Sequence, residues 1–480
     1  MSDEKIQVHG VEYEKVDDTY FEQRQLKRGA AGWVLLAGLG VAYVISGDFA
    51  GWNFGLAQGG WGGLLIATIL MATMYTCMVL SLAELSSMIP TSGGGYGFAR
   101  RAFGPWGGFL TGTAILIEYA IAPAAIATFI GAYCESLFGI GGPIIYLAFY
   151  IVFVGVHLWG VGEALRVMFV ITAIAAIALL VFVISMVPHF DAANLFDIPV
   201  TEAVGASSFL PFGYLGIWAA IPYGMWFFLA IEGVPLAAEE TANPTRDMPR
   251  GIIAAMLVLL LFAALILTLG PGGAGAHALM NSEAPLVDAL LSPSAYGGAT
   301  WLSGFINLVG LAGLIASFFS IIYAYSRQIF ALSRAGYLPR FLSITSKRKA
   351  PVAALVIPGA IGFVLSLSGE GDLLILVAVF GATISYVMMM LSHIVLRLKQ
   401  PELERPYATP GGIATSSVAL LLAGAALVAG LLVDWRVIIA AAVVYAVMIA
   451  YFAIYSRHHL VAQAPEEEFE AIRRAEAELG

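Results

Sequence analysis

Long apolar runs, separated by short polar connections, make up most of the chain. A helix that crosses a bilayer needs about 20 mostly apolar residues, and twelve runs come close to or exceed that length. The predicted spans are 32–56, 61–88, 106–133, 143–161, 166–188, 216–238, 251–270, 300–328, 352–368, 373–396, 412–433 and 436–456. Polar tails are predicted at 1–28 and 457–480. The pattern indicates an all-α polytopic membrane protein with twelve transmembrane helices.

The basic residues fix the predicted orientation of these spans. Lysine and arginine concentrate on the cytoplasmic side of membrane proteins. With twelve spans and the N-terminus inside, 22 of the 23 lysines and arginines fall in inside segments, and only Arg436 falls outside. Both termini are therefore predicted to be cytoplasmic.

Two spans carry interruptions at matching positions. Ser46, Gly47 and Asp48 interrupt the first span. The sixth span is interrupted by Pro222, Gly224, Gly233 and Pro235. Interrupted helices in corresponding positions of two halves are typical of transporter sites at an inverted-repeat interface. We therefore expect a five-plus-five inverted repeat with broken helices 1 and 6.

This repeat defines the predicted division of the chain. Its segments are a cytoplasmic tail at 1–28, a first repeat at 29–190, a second repeat at 191–400, helices 11 and 12 at 401–456, and a cytoplasmic tail at 457–480. The end of the last tail, 466–479, has two interpretations. It is either a short amphipathic helix, with Phe469, Ile472 and Leu479 on one side, or a solvated charged segment.

Composition supports the membrane class and excludes others. Of the 480 residues, 60% are hydrophobic and 11% charged, against about 25% charged in a typical soluble protein. A nucleic-acid partner is not expected, because the sequence has no lysine or arginine stripe. The polar N-terminus does not resemble a cleavable signal peptide. Cys77 and Cys134 lie in or beside apolar runs and are expected to be packed free thiols.

Four carboxylates lie within the predicted spans, namely Asp48, Glu84, Glu118 and Glu232. No lysine or arginine lies at comparable depth, since Arg327 is placed near an inner end. A buried carboxylate either takes up a proton or pairs with a cation. The missing positive charge is therefore expected to come from a cationic substrate, a metal ion or a proton. A substrate with its own carboxylate would be repelled by Asp48, which favours an amine without an acid group.

The four acids differ in their surroundings. Asp48, at the first break, is the first candidate for amine contact. Glu232 lies at the second break, six residues after Trp226, whose ring could cover a cation. Glu118 is either a second anionic contact or a proton carrier. Glu84 lies near the inner end of its span and is expected to bond to backbone or serine. His157 and His393 are expected to be packed or hydrogen-bonded.

Motifs typical of enzymes and cofactor sites are missing from the sequence. The glycine-rich run at 92–97 follows a predicted membrane helix and lacks a Walker Lys-Ser/Thr, so a nucleotide loop is not expected. No Cys/His cluster has metal-ligand spacing, and no nucleophile elbow occurs. The sequence predicts neither an enzyme nor a cofactor.

Several passages resemble the amino acid–polyamine–organocation transporters. They are residues 83–96 (AELSSMIPTSGGGY), 101–105 (RAFGP), 108–109 (GF), 238–250 (AEETANPTRDMPR), 325–339 (YSRQIFALSRAGYLP) and 401–407 (PELERPY). The resemblance implies twelve helices, a five-plus-five inverted repeat, alternating access, and a substrate site at the breaks in spans 1 and 6. Together with the buried acids, the resemblance gives the predicted substrate-binding residues, which are Ser46, Gly47, Asp48, Phe49, Glu118, Trp226 and Glu232.

Within that superfamily the chain is most similar to the bacterial ethanolamine permeases. The run at 46–55 (SGDFAGWNFG) carries this likeness. Amino acid carriers of the superfamily usually have a Gly-Ser-Gly-type break, whose amides hold the substrate carboxylate. Here Ser46-Gly47-Asp48 stands in that place, so an acid replaces the carboxylate holder. This implies import of ethanolamine, or of a similar small cationic amino alcohol, across a bacterial cytoplasmic membrane.

The coupling ion stays open. Proton-coupled relatives carry a lysine in span 5, whereas 166–188 here contains none. Ser317 and Ser320 are candidate sodium ligands, although serine in a membrane helix more often bonds its own backbone. Two other functions are alternatives to ethanolamine import. One is a zwitterionic amino acid permease of the same fold, and the other is an amine sensor that transports nothing.

Overall fold

A computed structural model gives the fold. It describes residues 6–467 apart from 9, 27, 28, 30, 160, 299, 434, 463 and 466. The predicted helix at 466–479 and its residues Phe469, Ile472 and Leu479 lie outside the described residues, except for Glu467.

The described residues are predominantly helical. The α-helices are α1 (Asp18–Glu22), α2 (Trp33–Val44), α3 (Ser46–Phe49), α4 (Phe54–Met88), α5 (Gly95–Phe138), α6 (Pro143–Trp159), α7 (Val161–Met186), α8 (Gly213–Trp226), α9 (Pro244–Ala274), α10 (Ala276–Leu279), α11 (Pro285–Leu291), α12 (Trp301–Arg334), α13 (Val352–Ser366), α14 (Gly371–Lys399), α15 (Ile413–Val433) and α16 (Trp435–Ile454). Short 3₁₀ helices cover Val187–His189, Ala192–Phe196, Ile231–Glu240, Arg340–Ser343 and Ser456–His458.

Among the described residues, nine helices are long and apolar enough to cross a membrane. Three shorter apolar helices, at Trp33–Phe49, Pro143–Trp159 and Val352–Ser366, lie at the other three predicted spans. The polytopic helical class is therefore confirmed, while the count of twelve membrane crossings stays a prediction. Apolar side chains exposed on the outer helices, among them Ile174, Val364 and Val447, present a surface suited to lipid.

Two helices bend where glycine adopts a left-handed backbone. Gly60, at φ 67°, separates the end of the first span from the second. Gly104, at φ 78°, divides α5, so the longer part of α5 begins close to residue 106, where the span was predicted, and a further helical segment precedes it from Gly95. The extra segment, 95–103, brings Arg100 into the protein interior.

Both predicted interruptions exist, but they are displaced along the chain. Ser46, Gly47 and Asp48 lie in the single turn α3, and the chain leaves the helix after Phe49. Ala50 is extended and Gly51 is left-handed at φ 96°. The prediction that residues 46–48 themselves are non-helical was therefore wrong. Because a left-handed backbone is far easier for glycine than for other residues, the break forms around Gly51.

In the second interrupted span, α8 continues through Pro222 and ends at Trp226. Residues 227–230 are not helical, and Ala230 has a positive φ of 76°. A 3₁₀ helix then runs from Ile231 to Glu240 and includes Pro235, whose ring lacks the N–H that a regular helix would use. The two breaks face each other, since a Cβ on Gly47 would collide with the main-chain oxygen of Trp226.

Helix α5 is the centre of the packing. It contacts α12 and α14 along its length, while α2 packs on α9, and α4 on α8. One continuous apolar core joins these helices. Cys77 and Cys134 are free thiols, as predicted, with Cys134 buried.

The two tails pair with each other, which the sequence did not predict. β1 (Ile6–Val8), β2 (Val11–Glu14) and β3 (Leu460–Val461) form a three-stranded sheet in that order. β1 and β2 are antiparallel, with Val8 opposite Val11. β2 and β3 are parallel, with Tyr13 opposite Leu460.

Candidate functional site

The break in the first span is tied to α12 by hydroxyl groups. Ser46 Oγ donates to Ser317 Oγ at 2.8 Å, and Ser317 Oγ donates to the main-chain oxygen of Tyr43 at 2.5 Å. Ser320 Oγ bonds the main-chain oxygen of Ser317 in its own helix at 2.9 Å, as expected for a serine in a membrane helix. The candidate sodium ligands are thus already engaged with protein groups.

Trp226 holds the two breaks together. Its indole Nε1 donates to the main-chain oxygen of Ala50 at 2.9 Å. Gly51 lies directly against the same indole, because a Cβ there would be 2.6 Å from Nε1. Asn53 secures the far side of the break by donating to the main-chain oxygens of Leu279 and Ser282, both at 2.7 Å. The first break is therefore held by side chains from three directions.

A small cavity of about 10 Å³ lies between the two breaks. That volume accommodates about one water molecule. Residues of α2, α5 and α12 surround it together with both interrupted spans. Of the predicted site residues, Ser46 and Trp226 line the cavity; Gly47, Asp48, Phe49, Glu118 and Glu232 are not among its lining residues. In this conformation the space between the breaks has no room for a molecule larger than water and its lining residues are buried, which is what we call the closed state.

Asp48 is completely buried, and neither of its carboxyl oxygens has a hydrogen-bond partner among the described residues. Successive side chains of a helix are turned by about 100°. In α3, Ser46 bonds α12, and Phe49 lies against Gly310 and Gly313 of the same helix. Asp48 therefore projects away from α12, on the side where α3 contacts α9. It lies two residues from Ser46, which lines the cavity, and forms a separate buried acidic position.

Glu232, in contrast, has protein donors on both oxygens. Tyr119 and Tyr386 each donate a phenol O–H to it at 2.9 Å. Tyr75 donates in turn to the Tyr386 hydroxyl at 3.1 Å. Four helical segments, α4, α5, α14 and the second half of the interrupted sixth span, thus meet at one carboxylate. Sequence patterns did not identify the tyrosines, because a single tyrosine in an apolar run looks like a core residue.

Glu118 lies beside this network. It is fully buried, directly before Tyr119, and close enough to Glu232 for the two carboxyl groups to interact electrostatically. Neither oxygen of Glu118 has a hydrogen-bond partner among the described residues. Two carboxylates close together away from water repel each other strongly, so the pair is stable with a shared proton or with a cation between them.

The remaining acid of the predicted set, Glu84, has the predicted backbone bond and other partners as well. Only backbone or serine was expected, whereas Arg397 and Arg405 also bind its carboxylate at 2.5 and 3.0 Å. Thr409 N–H donates at 2.7 Å, and His393 Nε2 lies 3.3 Å away. These partners come from segments more than 300 residues along the chain, so local sequence could not reveal them. Glu84 is a buried ion-pair centre that joins α4 to α14 and the following loop.

The two histidines are packed and hydrogen-bonded, as predicted. His157 Nδ1 bonds the main-chain oxygen of Phe153 at 2.8 Å and its ring lies 4.0 Å from that of Phe319. His393 Nδ1 bonds Ser416 at 3.0 Å. Neither lies in the cavity between the breaks.

Further ion pairs close the end of the sixth span. Glu240 pairs with Arg327 at 3.0 Å and accepts a hydrogen bond from Tyr323. Glu239 pairs with Arg334 at 2.5 Å. Arg327 is completely buried, deeper in the protein than its place near a predicted inner end suggested. The residues 238–250 and 325–339, which carried the family resemblance, therefore meet in space.

Comparison with known proteins agrees with this architecture. The family model described as "Amino acid permease" matches residues 34–463. An uncharacterized transporter of Rhizobium meliloti is 29% identical over 81% of this chain and 83% of its own length. The branched-chain amino acid permease BcaP of Bacillus subtilis is 27% identical over 91% of this chain and 95% of its own. The methylthioribose transporter of Bacillus subtilis is 28% identical over 77% and 79%. With interrupted helices, a closed central cavity and a family match over most of its length, the chain belongs to the amino acid permease family of membrane transporters.

Proposed function

We propose that this protein is a secondary transporter that imports ethanolamine, or a similar small cationic amino alcohol, across the bacterial cytoplasmic membrane. The observation that carries the proposal is Asp48, a completely buried carboxylate without a hydrogen-bond partner among the described residues. An uncompensated carboxylate inside a membrane protein is costly, and its usual role is to bind a cation or a proton. An ammonium group supplies the missing charge and three hydrogen-bond donors.

The distribution of arginines supports a cationic cargo. The three arginines buried in α5 and α12 each face their own acid: Arg100 with Glu467, Arg327 with Glu240, and Arg334 with Glu239. Two further arginines, Arg397 and Arg405, form ion pairs with Glu84. The arginines buried in α5 and α12 and those at Glu84 are therefore already paired, and we assign the positive charge for Asp48 to the substrate.

The closed cavity is consistent with alternating access. Room for about one water molecule does not admit even a small amine, so substrate enters only when the breaks separate. Ser46 connects the two parts of the proposed site, because it lines the cavity and lies two residues before Asp48 in α3. We therefore place the ammonium group at Asp48 and the rest of the molecule beside Ser46 and Trp226, with Gly47 and Phe49 framing the break.

Helix contacts support the proposed inverted repeat. If spans 1–5 correspond to spans 6–10, span 1 is equivalent to span 6 and span 2 to span 7. A contact between spans 1 and 7 then has an equivalent contact between spans 6 and 2. The first is α2 with α9 and the second is α8 with α4. Likewise, the contact of α5 with α14 (spans 3 and 10) has its counterpart in that of α12 with α7 (spans 8 and 5). We propose two five-helix halves related by this repeat, in which the interrupted spans 1 and 6 move together against α12.

For the coupling ion we favour a proton at the Glu118–Glu232 pair. Glu232 is engaged by Tyr119 and Tyr386, which leaves the adjacent carboxyl of Glu118 to take up a charge-balancing proton. The alternative sodium position, near Ser317, is occupied by a direct hydrogen bond to the first span. Uptake that collapses with a proton ionophore and persists without sodium supports this assignment; strict dependence on sodium contradicts it.

A zwitterionic amino acid permease is the second candidate. It is favoured by the relative named as a branched-chain amino acid permease, which aligns over 91% of this chain. Against it stands Asp48, which would repel a substrate carboxylate. The relative named for methylthioribose, which is not an amino acid, indicates that similar chains serve other cargoes.

Competition uptake in proteoliposomes separates these functions. Labelled ethanolamine should enter vesicles containing the purified protein, and unlabelled ethanolamine should compete far better than alanine or serine. Equal competition by the amino acids would overturn the amine assignment. Binding of ethanolamine without any flux would instead identify an amine sensor.

A further inference from the structure

Glu467, the last of the described residues, lies in a buried cluster that joins the C-terminal segment to the membrane helices. Glu467 is only 2% exposed. Its carboxylate accepts hydrogen bonds from Arg100 Nε at 2.8 Å, from Arg100 Nη2, from the Tyr337 hydroxyl at 2.9 Å and from the Tyr13 hydroxyl at 3.2 Å. We call these four residues the tail cluster. Charged side chains are almost never fully buried unless they are paired, and Arg100 is the partner here.

The tail cluster ties three parts of the chain together. Arg100 lies in the first segment of α5, Tyr337 follows α12, and Tyr13 belongs to β2 in the N-terminal tail. All four residues lie on the side that carries nearly all lysines and arginines, which the predicted topology makes cytoplasmic.

Backbone pairing holds the C-terminal segment close to the end of α12. Val461 N–H donates to the main-chain oxygen of Ala335 at 3.0 Å, and Ser456 Oγ donates to that of Tyr337 at 2.7 Å. Gly336 is left-handed at φ 88°, and a Cβ there would collide with the main-chain oxygen of His459. The chain can approach this closely because that residue is glycine.

The N-terminal tail continues from the cluster to the first span. Tyr20 donates to the main-chain oxygen of Arg334 at 2.9 Å, and Arg24 Nε donates to Ser343 Oγ at 2.9 Å. Next to the start of α2, Ala31 N–H bonds the main-chain oxygen of Glu240 at 3.1 Å. The tail thus runs across the end of α12 to the point where spans 1 and 6 meet.

This route crosses a boundary that transport has to open. Alternating access moves one group of helices against the other around the breaks. Opening toward the cytoplasm separates the inner ends of spans 1 and 6, at Ala31 and Glu240, from the inner end of α12. The N-terminal tail is bonded to both sides of that boundary, and Glu467 fixes the tail through Tyr13. Release of the tail therefore precedes or accompanies opening.

We propose that the C-terminal segment is a latch on the cytoplasmic gate, with the Glu467 carboxylate as its closing contact. Docked in the tail cluster, it stabilises the closed state seen here; undocked, it frees the N-terminal tail and the inner end of span 1. A cytoplasmic factor that captures the C-terminal segment would thereby raise the rate of inward opening. The inference depends on movement of the helices and not on which amine is carried.

Cysteine accessibility tests the latch without any substrate. Ala31→Cys places a thiol at the boundary, in a full-length background with Cys77 and Cys134 replaced by alanine. Glu467→Gln keeps the shape of the side chain and removes its charge. Glu402→Gln, an exposed glutamate in a loop on the same side, is the matched control. Labelling of the introduced thiol by a membrane-impermeant maleimide is measured in purified protein.

The expected result is about tenfold faster labelling with Glu467→Gln than with Glu402→Gln, because loss of a charge-assisted hydrogen-bonded pair shifts an equilibrium by about a decade. Substrate uptake should also accelerate. Equal labelling rates in the two well-folded variants would overturn the latch. If Glu467→Gln does not yield monodisperse protein, Tyr337→Phe, which removes one donor, takes its place with the same criteria. Faster labelling together with no uptake of any amine would support the latch and count against the proposed cargo.

Discussion

Buried acids occur in two regions of this protein, and they differ in what they face. Near the helix breaks, Asp48 has no hydrogen-bond partner among the described residues, and Glu118 faces another carboxyl group. Toward the end of the helices where the tails lie, Glu84, Glu240 and Glu467 are each bound by arginine and by further donors. The burial is equally deep in both regions, so burial alone does not distinguish them.

The difference teaches which acids build the fold and which are available for function. A buried carboxylate with a complete set of donors fixes neighbouring segments in register, and removal of one partner leaves an uncompensated charge. A buried carboxylate without donors contributes no such bond and is costly as it stands. Natural proteins keep such groups mostly where a ligand or a proton completes them. The comparison can be tested by removing the charge in each region.

The largest effect is expected at the unpaired acid. Asp48→Asn removes the negative charge that we assign to the ammonium group and should abolish ethanolamine binding and uptake. Since Asp48 makes no hydrogen bond to a described residue, the melting temperature should not fall. Thermal-shift titration with ethanolamine measures the melting temperature and the binding, and proteoliposomes measure the uptake. Asp372→Asn, at the exposed start of α14, is the matched control and should behave like the unaltered protein. Retained affinity in Asp48→Asn would remove this residue from the site.

At a paired acid, loss of the charge is expected to lower the stability of the protein. Glu240→Gln leaves the fully buried Arg327 without its counter-charge and should destabilise the protein by about 3–5 kcal/mol. The melting temperature in detergent should fall clearly, whether or not ethanolamine is present. A stability equal to that of the unaltered protein would show that this pair does not hold spans 6 and 8 together.

Glu232 is intermediate between the unpaired Asp48 and the arginine-paired Glu240, because it has tyrosine donors but no cation. Glu232→Gln should slow uptake while the protein still folds, since an amide can accept from only one of the two phenols. Tyr386→Phe removes one hydrogen bond to Glu232 and should lower the free energy of unfolding by about 1–2 kcal/mol, with a smaller loss of uptake than Glu232→Gln. Uptake kinetics at several external proton concentrations measure both changes. Unchanged kinetics in Glu232→Gln would make this residue a packing element of the break.

The smallest effect is expected at an exposed ion pair. Arg436 and Glu370 lie 3.2 Å apart with about half of each side chain exposed. Such surface pairs contribute about 0–1 kcal/mol, so Glu370→Gln should leave both melting temperature and uptake nearly unchanged. A large loss of uptake would instead give this exposed pair a role in transport.

Several features of the fold follow from local pattern. Apolar runs of membrane length placed the helices, because the bilayer imposes that length on any spanning segment. Glycine and proline located the two interrupted spans to within a few residues. The exact position of the first break was missed, because Ser46 bonds Ser317 of α12 and Asn53 bonds the loop beyond α10. Those partners keep residues 46–49 helical and shift the departure to Gly51.

The sequence by itself determined the class of protein, the approximate spans and the set of buried acids, since hydrophobicity and charge are properties of single residues. Only the tertiary structure decided which acids are neutralised. Arg397 reaches Glu84 and Arg100 reaches Glu467 across more than 300 residues of chain, and Tyr386 reaches Glu232 across 154. Pairing of charges depends on distances of a few ångströms in space, and these distances cannot be calculated from the separation of two residues along the chain.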